Sequence, residues 1–416
     1  MKRSIVVLCI HGVGHLRVVL PVVAALHRRG WPVHVLTHAE FRDEVERSGA
    51  RFIDLFARYP LEAADASSQP LPSRYVSFAG VYGEALAADI AALDPGLIVC
   101  DTFMVAGPVV ARLLDIPYVN VLPNHAPVPS RTLAALRDDP RVSTSSDCWN
   151  AIRRLREVYG MVDAHPLSYV DTFSPYLNLY AEPAEFLDAD DRRVLQPLEF
   201  FGCLTPELRE NDGCVFPQQR RGKRIYVCFG TVVWWYFEAA ATKALRVIAQ
   251  ACEHLDVDVV VSLGRHRLDA ATRKEVVRRN VTVVDAVDQW AALREADVFI
   301  THHGINSTHE AIFQQVPMLS YPFFGDQPAL ATRCQQLGLA LPLARQPRGG
   351  FDEQAVRDGF MQLIRAEGGF MQRLAEARRW ELRTIAARDG VVDRILALIA
   401  SGETELGAPE RGEGDE

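Results

Sequence analysis

Long apolar segments are missing from this sequence. No run of about 18 uncharged apolar residues occurs, which argues against a membrane-spanning helix. The segment from Ser4 to Ile10 follows Met1-Lys2-Arg3 as a signal-peptide core would, but it is too short and no small-residue cleavage site follows it. We therefore predict that Ser4–Ile10 forms a first β-strand.

Cysteine pairs and excess positive charge are also lacking. The eight cysteines contain no CxxC pair, and Cys9, Cys100 and Cys228 lie in apolar segments where a thiol acts as a small buried hydrophobe. This disfavours a disulfide or metal framework and favours the reducing cytoplasm. A net charge of -8 argues against a nucleic-acid partner.

The chain does have the length and patterning of two α/β domains. Its 416 residues exceed what one hydrophobic core usually supports, and short apolar segments alternate with helical patterns. The helix after the first strand would bury a stripe at helical spacing: Val18, Val19, Val22, Val23 and Leu26. The predicted strands are Ser4–Ile10, Pro32–Thr37, Gly96–Cys100, Tyr118–Leu122, Arg224–Phe229, Val257–Leu263, Val281–Val284, Val298–Thr301 and Met318–Tyr321.

An anion site is predicted where one strand of the second half ends. The strand ends near Thr301, Gly304 permits a tight turn, and a residue of Asn306-Ser307-Thr308 can cap the next helix. Backbone N–H groups and the helix dipole converge at such a point, and His302 adds a donor. Glu310 lies one turn further, where a carboxylate suits a ribose diol.

A candidate general base lies in the first turn, His11-Gly12-Val13-Gly14-His15. His15 follows the first strand and Asp101 follows the strand Gly96–Cys100, so both belong to the carboxyl edge of the predicted sheet. An aspartate bonded to the far imidazole nitrogen would fix the tautomer and stabilise the imidazolium. His11 precedes the turn glycine and is less well placed to act as the base.

These segments resemble the family 1 glycosyltransferases, nucleotide-sugar-dependent enzymes of plants and bacteria that act on small molecules. Their donor signature joins an H-x-G-x-N-S-x-x-E core, a P-x-x-x-x-P stretch and a D/E-Q pair. Family members also have a glycine-rich turn ending in histidine and a downstream aspartate, matched here by His15 and Asp101. The donor signature is matched by His302, Gly304, Asn306, Ser307, Glu310, Pro317, Pro322, Asp326 and Gln327.

The resemblance implies a role for each residue of the donor site. His302, Asn306 and Ser307 would contact the diphosphate, the Gly230-Thr231 turn would lie beside it, and Glu310 would bind the ribose.

The remaining donor contacts are implied in the same way. Asp326-Gln327 would bind sugar hydroxyls, and Gln289 matches the glutamine of a W-x-P-Q element that reads the base. The tryptophan and proline of that element fall at Ala286 and Asp288, and Trp290 is expected to be a packing residue.

Acceptor contacts are expected from aromatic side chains that could reach the site. An aromatic lining would favour a flat or apolar acceptor. The candidates are Phe78, Phe103, Trp234 and Phe324. The DxD-like segment Asp188–Asp191 lies far from the donor signature, so we interpret it as solvated or capping and expect no catalytic metal.

The fold implied by the resemblance is α/β GT-B, with two Rossmann-like domains whose parallel sheets face a cleft. The expected parts are an acceptor domain (1–204), a linker (205–222), a donor domain (223–380), C-terminal helices that return to the first domain (381–400), and a disordered tail (401–416).

The function implied is inverting transfer of a hexose from a UDP- or dTDP-sugar to a hydroxyl of a small natural product. The nucleotide sugar is a co-substrate, no cofactor is expected, and the protein would be a monomer or homodimer. Two alternatives stay open: a nucleotide-sugar epimerase and an inactive glycosyltransferase-like helper. A dinucleotide oxidoreductase is disfavoured because GxGxxG follows neither first strand.

Overall fold

The computed structural model describes residues 2–208, 214–220, 222–365 and 368–401. The predicted tail (401–416) lies outside the described residues except for Ser401. Residues 209–213 and 221 of the predicted linker also lie outside them. The chain forms two compact units, residues 1–203 together with those from 384 onward, and residues 204–383.

The first unit contains a parallel sheet of seven strands, in the order β3-β2-β1-β4-β5-β6-β7. The strands are β1 (Ser4–Leu8), β2 (Val33–Thr37), β3 (Arg51–Asp54), β4 (Pro95–Asp101), β5 (Tyr118–Leu122), β6 (Leu177–Tyr180) and β7 (Leu198–Phe200). The four strands predicted for this half are present, with ends that differ by up to two residues. β3, β6 and β7 were not predicted.

Helices cover this sheet, and the stripe predicted for the first of them is buried, with each of its five side chains at most 1% exposed. The helices are α1 (Val13–Arg28), α2 (Arg42–Arg47), α3 (Leu55–Arg58), α4 (Leu61–Ala64), α5 (Ser73–Ala91), α6 (Ala106–Leu113), α7 (Pro129–Arg137), α8 (Ser146–Glu157) and α9 (Ala189–Val194). Burial of both sheet faces explains why the central strands are almost wholly apolar.

The second unit contains a parallel sheet of six strands, in the order β10-β9-β8-β11-β12-β13. The strands are β8 (Lys223–Cys228), β9 (Val257–Ser262), β10 (Val281–Val284), β11 (Val298–Thr301), β12 (Met318–Ser320) and β13 (Ala340–Pro342). All five strands predicted here are present, and only β13 was missed.

The helices of the second unit are α10 (Val233–Cys252), α11 (Ala270–Val276), α12 (Gln289–Glu295), α13 (Ile305–Phe313), α14 (Gln327–Gln336), α15 (Glu353–Ile364) and the first part of α16 (Phe370–Ser401). From residue 384 onward, α16 belongs to the first unit. There the guanidinium of Arg388 is buried and donates to the carbonyls of Phe201 (2.8 Å) and Gly202 (3.1 Å).

Each sheet reverses its strand order at one point. The reversal lies between β1 and β4 in the first unit and between β8 and β11 in the second. In open parallel sheets, ligands bind beyond the carboxyl ends of the two strands that flank such a reversal. The turns that follow β1, β4, β8 and β11 are therefore where functional side chains are expected.

All eight cysteines are free thiols, and all but Cys214 are buried. None of the helices in the described ranges is both long enough and apolar enough to cross a bilayer.

Candidate active site

The first candidate site lies where the sheet of the first unit reverses. His15 is in the first turn of α1, just beyond β1, and Asp101 is the last residue of β4. Their side chains meet, with 2.8 Å between His15 Nδ1 and Asp101 Oδ2. Because a carboxylate only accepts, Nδ1 donates, which leaves Nε2 as the nitrogen able to take a proton.

Asp101 is held in place by its surroundings. Its side chain is 0% exposed, and Oδ1 accepts a hydrogen bond from the backbone N–H of Phe103 at 3.0 Å. The Phe103 ring also packs against the His15 imidazole, with 4.7 Å between ring centroids. Burial, together with the Asp101 charge, raises the pKa of Cys9 well above its ordinary value, so this neighbouring thiol stays protonated.

His11 has a different environment from His15. Its Nε2 lies 3.1 Å from Glu40 Oε2, and its ring stacks on that of His38 with centroids 3.7 Å apart.

The second candidate site lies where the sheet of the second unit reverses. His302 follows β11, and its ring lies against the two turn glycines, Gly230 after β8 and Gly304 before α13. A Cβ added at either glycine would lie 2.6 Å from His302 Nε2, too close for any real contact. Neither glycine can therefore be replaced without moving the imidazole.

His302 is a neutral group in this setting. Burial lowers its pKa to about 4, and the residue as a whole is 7% exposed. A neutral imidazole can donate one hydrogen bond to a phosphate oxygen but brings no positive charge.

The start of α13 differs from the prediction. The N-cap is Gly304, with no side-chain capping bond, so the predicted capping by Asn306, Ser307 or Thr308 is wrong. The helix begins at Ile305, one residue before this polar segment, which places those side chains within the first turn. A helix start without a side-chain cap leaves its first N–H groups directed at whatever lies beyond the turn.

Three donor-site residues form one hydrogen-bonded network. Gln289 Nε2 donates to Glu310 Oε2 at 2.7 Å and to Ser307 Oγ at 3.1 Å. Glu310 is 1% exposed, so a buried carboxylate fixes the orientation of the Gln289 amide. Ala286, where family members have tryptophan, is exposed, whereas Trp290 is buried against Phe313, as predicted for a packing residue.

The Asp326-Gln327 pair lies at the start of α14. Asp326 is the N-cap, and the buried Gln327 accepts with Oε1 from the backbone N–H groups of Phe323 (2.9 Å) and Phe324 (3.3 Å). The carbonyl end of Gln327 thus holds its own loop, which leaves the amide NH₂ end for other partners.

Two of the four aromatic acceptor candidates are core residues. Phe78 is fully buried in the core of the first unit, and Trp234 is 3% exposed and stacked on His266. Assigning these two to an open pocket was wrong, because aromatic content alone does not separate core from cleft. Phe103 lies against His15, and Phe324 is half-buried near Tyr236.

The DxD-like segment starts α9, where Asp190 pairs with Arg193 and Asp191 with Arg131. Asp188 is the N-cap of α9 but makes no side-chain capping bond, so of the two interpretations, solvated or capping, the capping one is wrong.

Sequence reasoning missed two residues that shape the donor turn. His303 has φ +60 and is 0% exposed, with ring nitrogens 3.1 Å from Thr308 Oγ1 and 2.7 Å from Ser320 Oγ, so it ties the turn to α13 and β12. Gly264 follows β9, and a Cβ there would lie 2.5 Å from the Gly230 carbonyl oxygen. For Gly264 the sequence did hold a signal, because this glycine comes directly after the predicted strand Val257–Leu263.

Comparison with known proteins finds glycosyltransferases. Residues 193–346 match the model of the family described as UDP-glucoronosyl and UDP-glucosyl transferase. Oleandomycin glycosyltransferase of Streptomyces antibioticus is 27% identical over 347 residues, covering 80% of this chain and 77% of that protein. The NDP-glycosyltransferase YjiC of Bacillus subtilis (strain 168) is 24% identical over 367 residues, covering 83% and 86%.

Among solved structures, the glycosyltransferase of kitacinnamycin is similar over 95% of this chain and 99% of its own, with a TM-score of 0.73 and 23% identity. The proteins named here are all glycosyltransferases, so the comparisons do not favour the epimerase, helper or oxidoreductase alternatives. With the donor signature, these similarities support a glycosyltransferase of the GT-B fold, and the chain resembles the family 1, UDP-glycosyltransferase-like enzymes found among bacterial natural-product enzymes.

Proposed function

We propose that this glycosyltransferase moves a hexose from a UDP- or dTDP-sugar to a hydroxyl group of a small, apolar or aromatic natural product, with inversion at the anomeric carbon. The proposal is supported above all by the 2.8 Å contact between His15 Nδ1 and Asp101 Oδ2, two residues at the carboxyl ends of the strands that flank a sheet reversal.

His15 acts as the general base. Its Nε2 accepts the proton of the acceptor hydroxyl while the oxygen attacks the anomeric carbon and the bond to the nucleoside diphosphate breaks. Asp101 stabilises the imidazolium that forms, and its buried carboxylate fixes the ring orientation before the acceptor arrives. One displacement leaves the sugar with the opposite anomeric configuration.

The turns after β8 and β11 bind the diphosphate. The uncapped start of α13 offers backbone N–H groups, and the neutral His302 adds one hydrogen bond. Charge that develops on the leaving phosphate is thus stabilised by backbone dipoles held in place before the reaction. Under this proposal the helix start carries out the electrostatic task, so transfer is metal-independent.

The other donor residues bind the rest of the nucleotide sugar. The Gln289–Glu310 network reads the base and ribose, and Asp326 with the NH₂ end of Gln327 binds sugar hydroxyls. Because eight free thiols suit a reducing compartment, we place the protein in the cytoplasm. We propose that it is a monomer or a homodimer.

Donor screening tests the proposal first. UDP, dTDP, ADP and GDP are added separately, and the unfolding temperature is followed; a diphosphate that binds the folded state raises it. UDP or dTDP should raise the unfolding temperature more than the purine nucleotides do. Equal or absent shifts with all four would contradict the donor assignment.

Product analysis tests the reaction. The preferred nucleotide sugar is incubated with and without a panel of phenolic and alcoholic acceptors, and the anomeric configuration of any product is read from its NMR coupling constant. Inverted glycosides that form only with an acceptor are expected. A retained configuration would exclude the single displacement, and an epimerised nucleotide sugar without acceptor would favour the epimerase.

A further inference from the structure

A pocket of about 420 Å³ opens in the first unit, near the turn that carries His15. It lies at the carboxyl ends of β1, β2 and β3, and of these three strands β1 is the one that pairs with β4. His11 lines it and shares the first turn with His15, and a Cβ on the intervening Gly12 would lie 3.4 Å from the His15 ring. The volume suits a small molecule.

The polar part of this pocket is acidic. Asp54, the last residue of β3, and Glu62 of α4 line it, and no lysine or arginine is among the lining residues of the described chain. Asp54, Glu40 and Glu62 all act on the pKa of His38, which shows that the three carboxylates lie within electrostatic reach of one point. The pocket therefore has a negative potential.

The two imidazoles of the pocket do not cancel that charge. Burial, and next the neighbouring His11, hold the pKa of His38 below its ordinary value, so His38 is neutral at pH 7. His11 faces Glu40, with 3.1 Å between His11 Nε2 and Glu40 Oε2. Glu40 is thus the carboxylate that His11 contacts, and the charges of Asp54 and Glu62 remain in the pocket.

The apolar part of the pocket is a wall of rings and aliphatic groups. Phe56, Leu61 and Pro60 line it, and the Phe56 ring lies 6.4 Å from His11 and 6.2 Å from His38. The lining of the pocket thus combines carboxylates with an aromatic ring, two kinds of group that bind an ammonium ion.

We propose that this pocket binds a protonated amine carried by the acceptor, so that the preferred acceptors are amine-bearing molecules. The inference rests on the proposed function, because it treats the pocket as part of the acceptor site next to His15. The amine at Asp54 and Glu62 would orient the acceptor so that its hydroxyl reaches the base.

A metal ion is a less suitable occupant, although His11, His38 and Glu40 offer ligand atoms within 4.8 Å of one another. The two rings are nearly parallel, at 14°, so their in-plane lone pairs run side by side and do not converge. One ring nitrogen of His38 also accepts the Glu40 backbone N–H at 3.3 Å.

The test compares two probes that differ in charge. Tyramine carries a protonated amine and a phenol; N-acetyltyramine keeps the phenol but is neutral. Binding to the full-length protein without a nucleotide is measured by calorimetry at pH 7, with and without EDTA. We expect tyramine to bind roughly tenfold more tightly. Equal binding, tighter binding of the neutral probe, or no binding of either up to millimolar concentration would overturn the proposal.

Variants show which carboxylates cause the preference for tyramine over N-acetyltyramine. Asp54→Asn retains a side-chain oxygen to cap α3, where Asp54 accepts from Ala57 N–H at 3.1 Å, and Glu62→Gln changes an exposed residue; both remove charge only. The double variant should bind both probes equally. Glu84→Gln, a surface carboxylate paired with Arg154, is the matched control and should keep the preference. Loss of the preference in the control, or its loss with EDTA in the wild type, would also overturn the amine assignment.

Transfer assays separate this inference from the proposed function. If the protein glycosylates neutral phenols but gains nothing from the amine, the inference fails and the function stands. If it binds tyramine selectively but transfers sugar from no donor to any acceptor, the function fails and only the amine site remains.

Discussion

Replacing Gly304 with alanine should impair donor use through a single contact. The added Cβ would lie 2.6 Å from His302 Nε2 and 3.0 Å from Cε1. To restore an ordinary separation of ~3.5 Å, the ring must move by ~0.9 Å. Because His302 is buried, that displacement moves a group that the proposal places on the diphosphate. A misplacement of this size costs about 100-fold in rate where positioning is critical.

The backbone of Gly304 allows the contact effect to be isolated. Its φ is −66°, which any residue adopts, so Gly304→Ala carries no left-handed penalty and should destabilise the fold only by overpacking, about 1–3 kcal/mol. Gly230→Ala meets the same imidazole at 2.6 Å and also has φ +73, which adds about 1–2 kcal/mol. Gly350→Ala is the control, because nothing lies within 4 Å of its Cβ.

The assay is kcat/KM for the preferred nucleotide sugar, together with urea unfolding of each variant. We predict a decrease of about 10- to 100-fold for Gly304→Ala, a larger loss of stability for Gly230→Ala, and no change for Gly350→Ala. Donor kinetics like wild type in a folded Gly304→Ala protein would refute the reasoning that links His302 to the diphosphate.

Four further variants test other parts of the structure. Asp101→Asn should lower kcat by about 10²–10⁴-fold without weakening nucleotide binding, since it keeps the shape but reverses the tautomer preference of His15; equal kcat in a kinetic assay would contradict this. The pKa of His302 is lower in the folded state than in the unfolded state. Between pH 6.5 and 4 the unfolded state therefore binds a proton that the folded state does not. The free energy of unfolding should fall by about 3 kcal/mol as the pH falls through that window. His302→Gln should lack this component in urea unfolding at several pH values, and an unchanged pH profile would refute it. Gly390→Ala, in the exposed interior of α16 with nothing within 4 Å, should raise stability by about 0.5–1 kcal/mol; a decrease in urea unfolding would show an unseen constraint. Gln289→Ala should raise the KM for the donor more than it lowers kcat, and a pure kcat effect in steady-state kinetics would argue against nucleotide binding.

The central strands could be predicted from the sequence because they are buried on both faces. β1, β4, β8 and β11 read as short continuous apolar segments, and the turns that follow them carry the candidate residues. β3 was missed because Arg51–Asp54 is short and has charged residues at both ends, so its pattern does not stand out from a loop.

Local contacts were harder to predict than the order of the elements. Polar residues at Asn306 and Ser307 suggested a cap, but the helix starts at Ile305 and the cap is Gly304. Phe78 and Trp234 are buried packing residues, and the presence of an aromatic residue does not by itself show whether it lies in the core or in a pocket. The pairing of His15 with Asp101 was expected because both were predicted at the carboxyl ends of parallel strands, which meet at one edge of the sheet.

The acidic pocket could not have been found from the sequence. Its lining residues His11, His38, Asp54 and Glu62 are spread over fifty residues and come together only because β3, β2 and β1 are neighbours. Nothing in the spacing of these residues indicates that order.

The most direct test of the account is to measure sugar transfer and nucleotide affinity side by side for His15→Ala. We predict that transfer falls by about 10²–10⁴-fold while the Kd for UDP or dTDP stays at the wild-type value, since the imidazole acts only on the acceptor proton. Transfer at the wild-type rate in that variant would remove His15 from the mechanism.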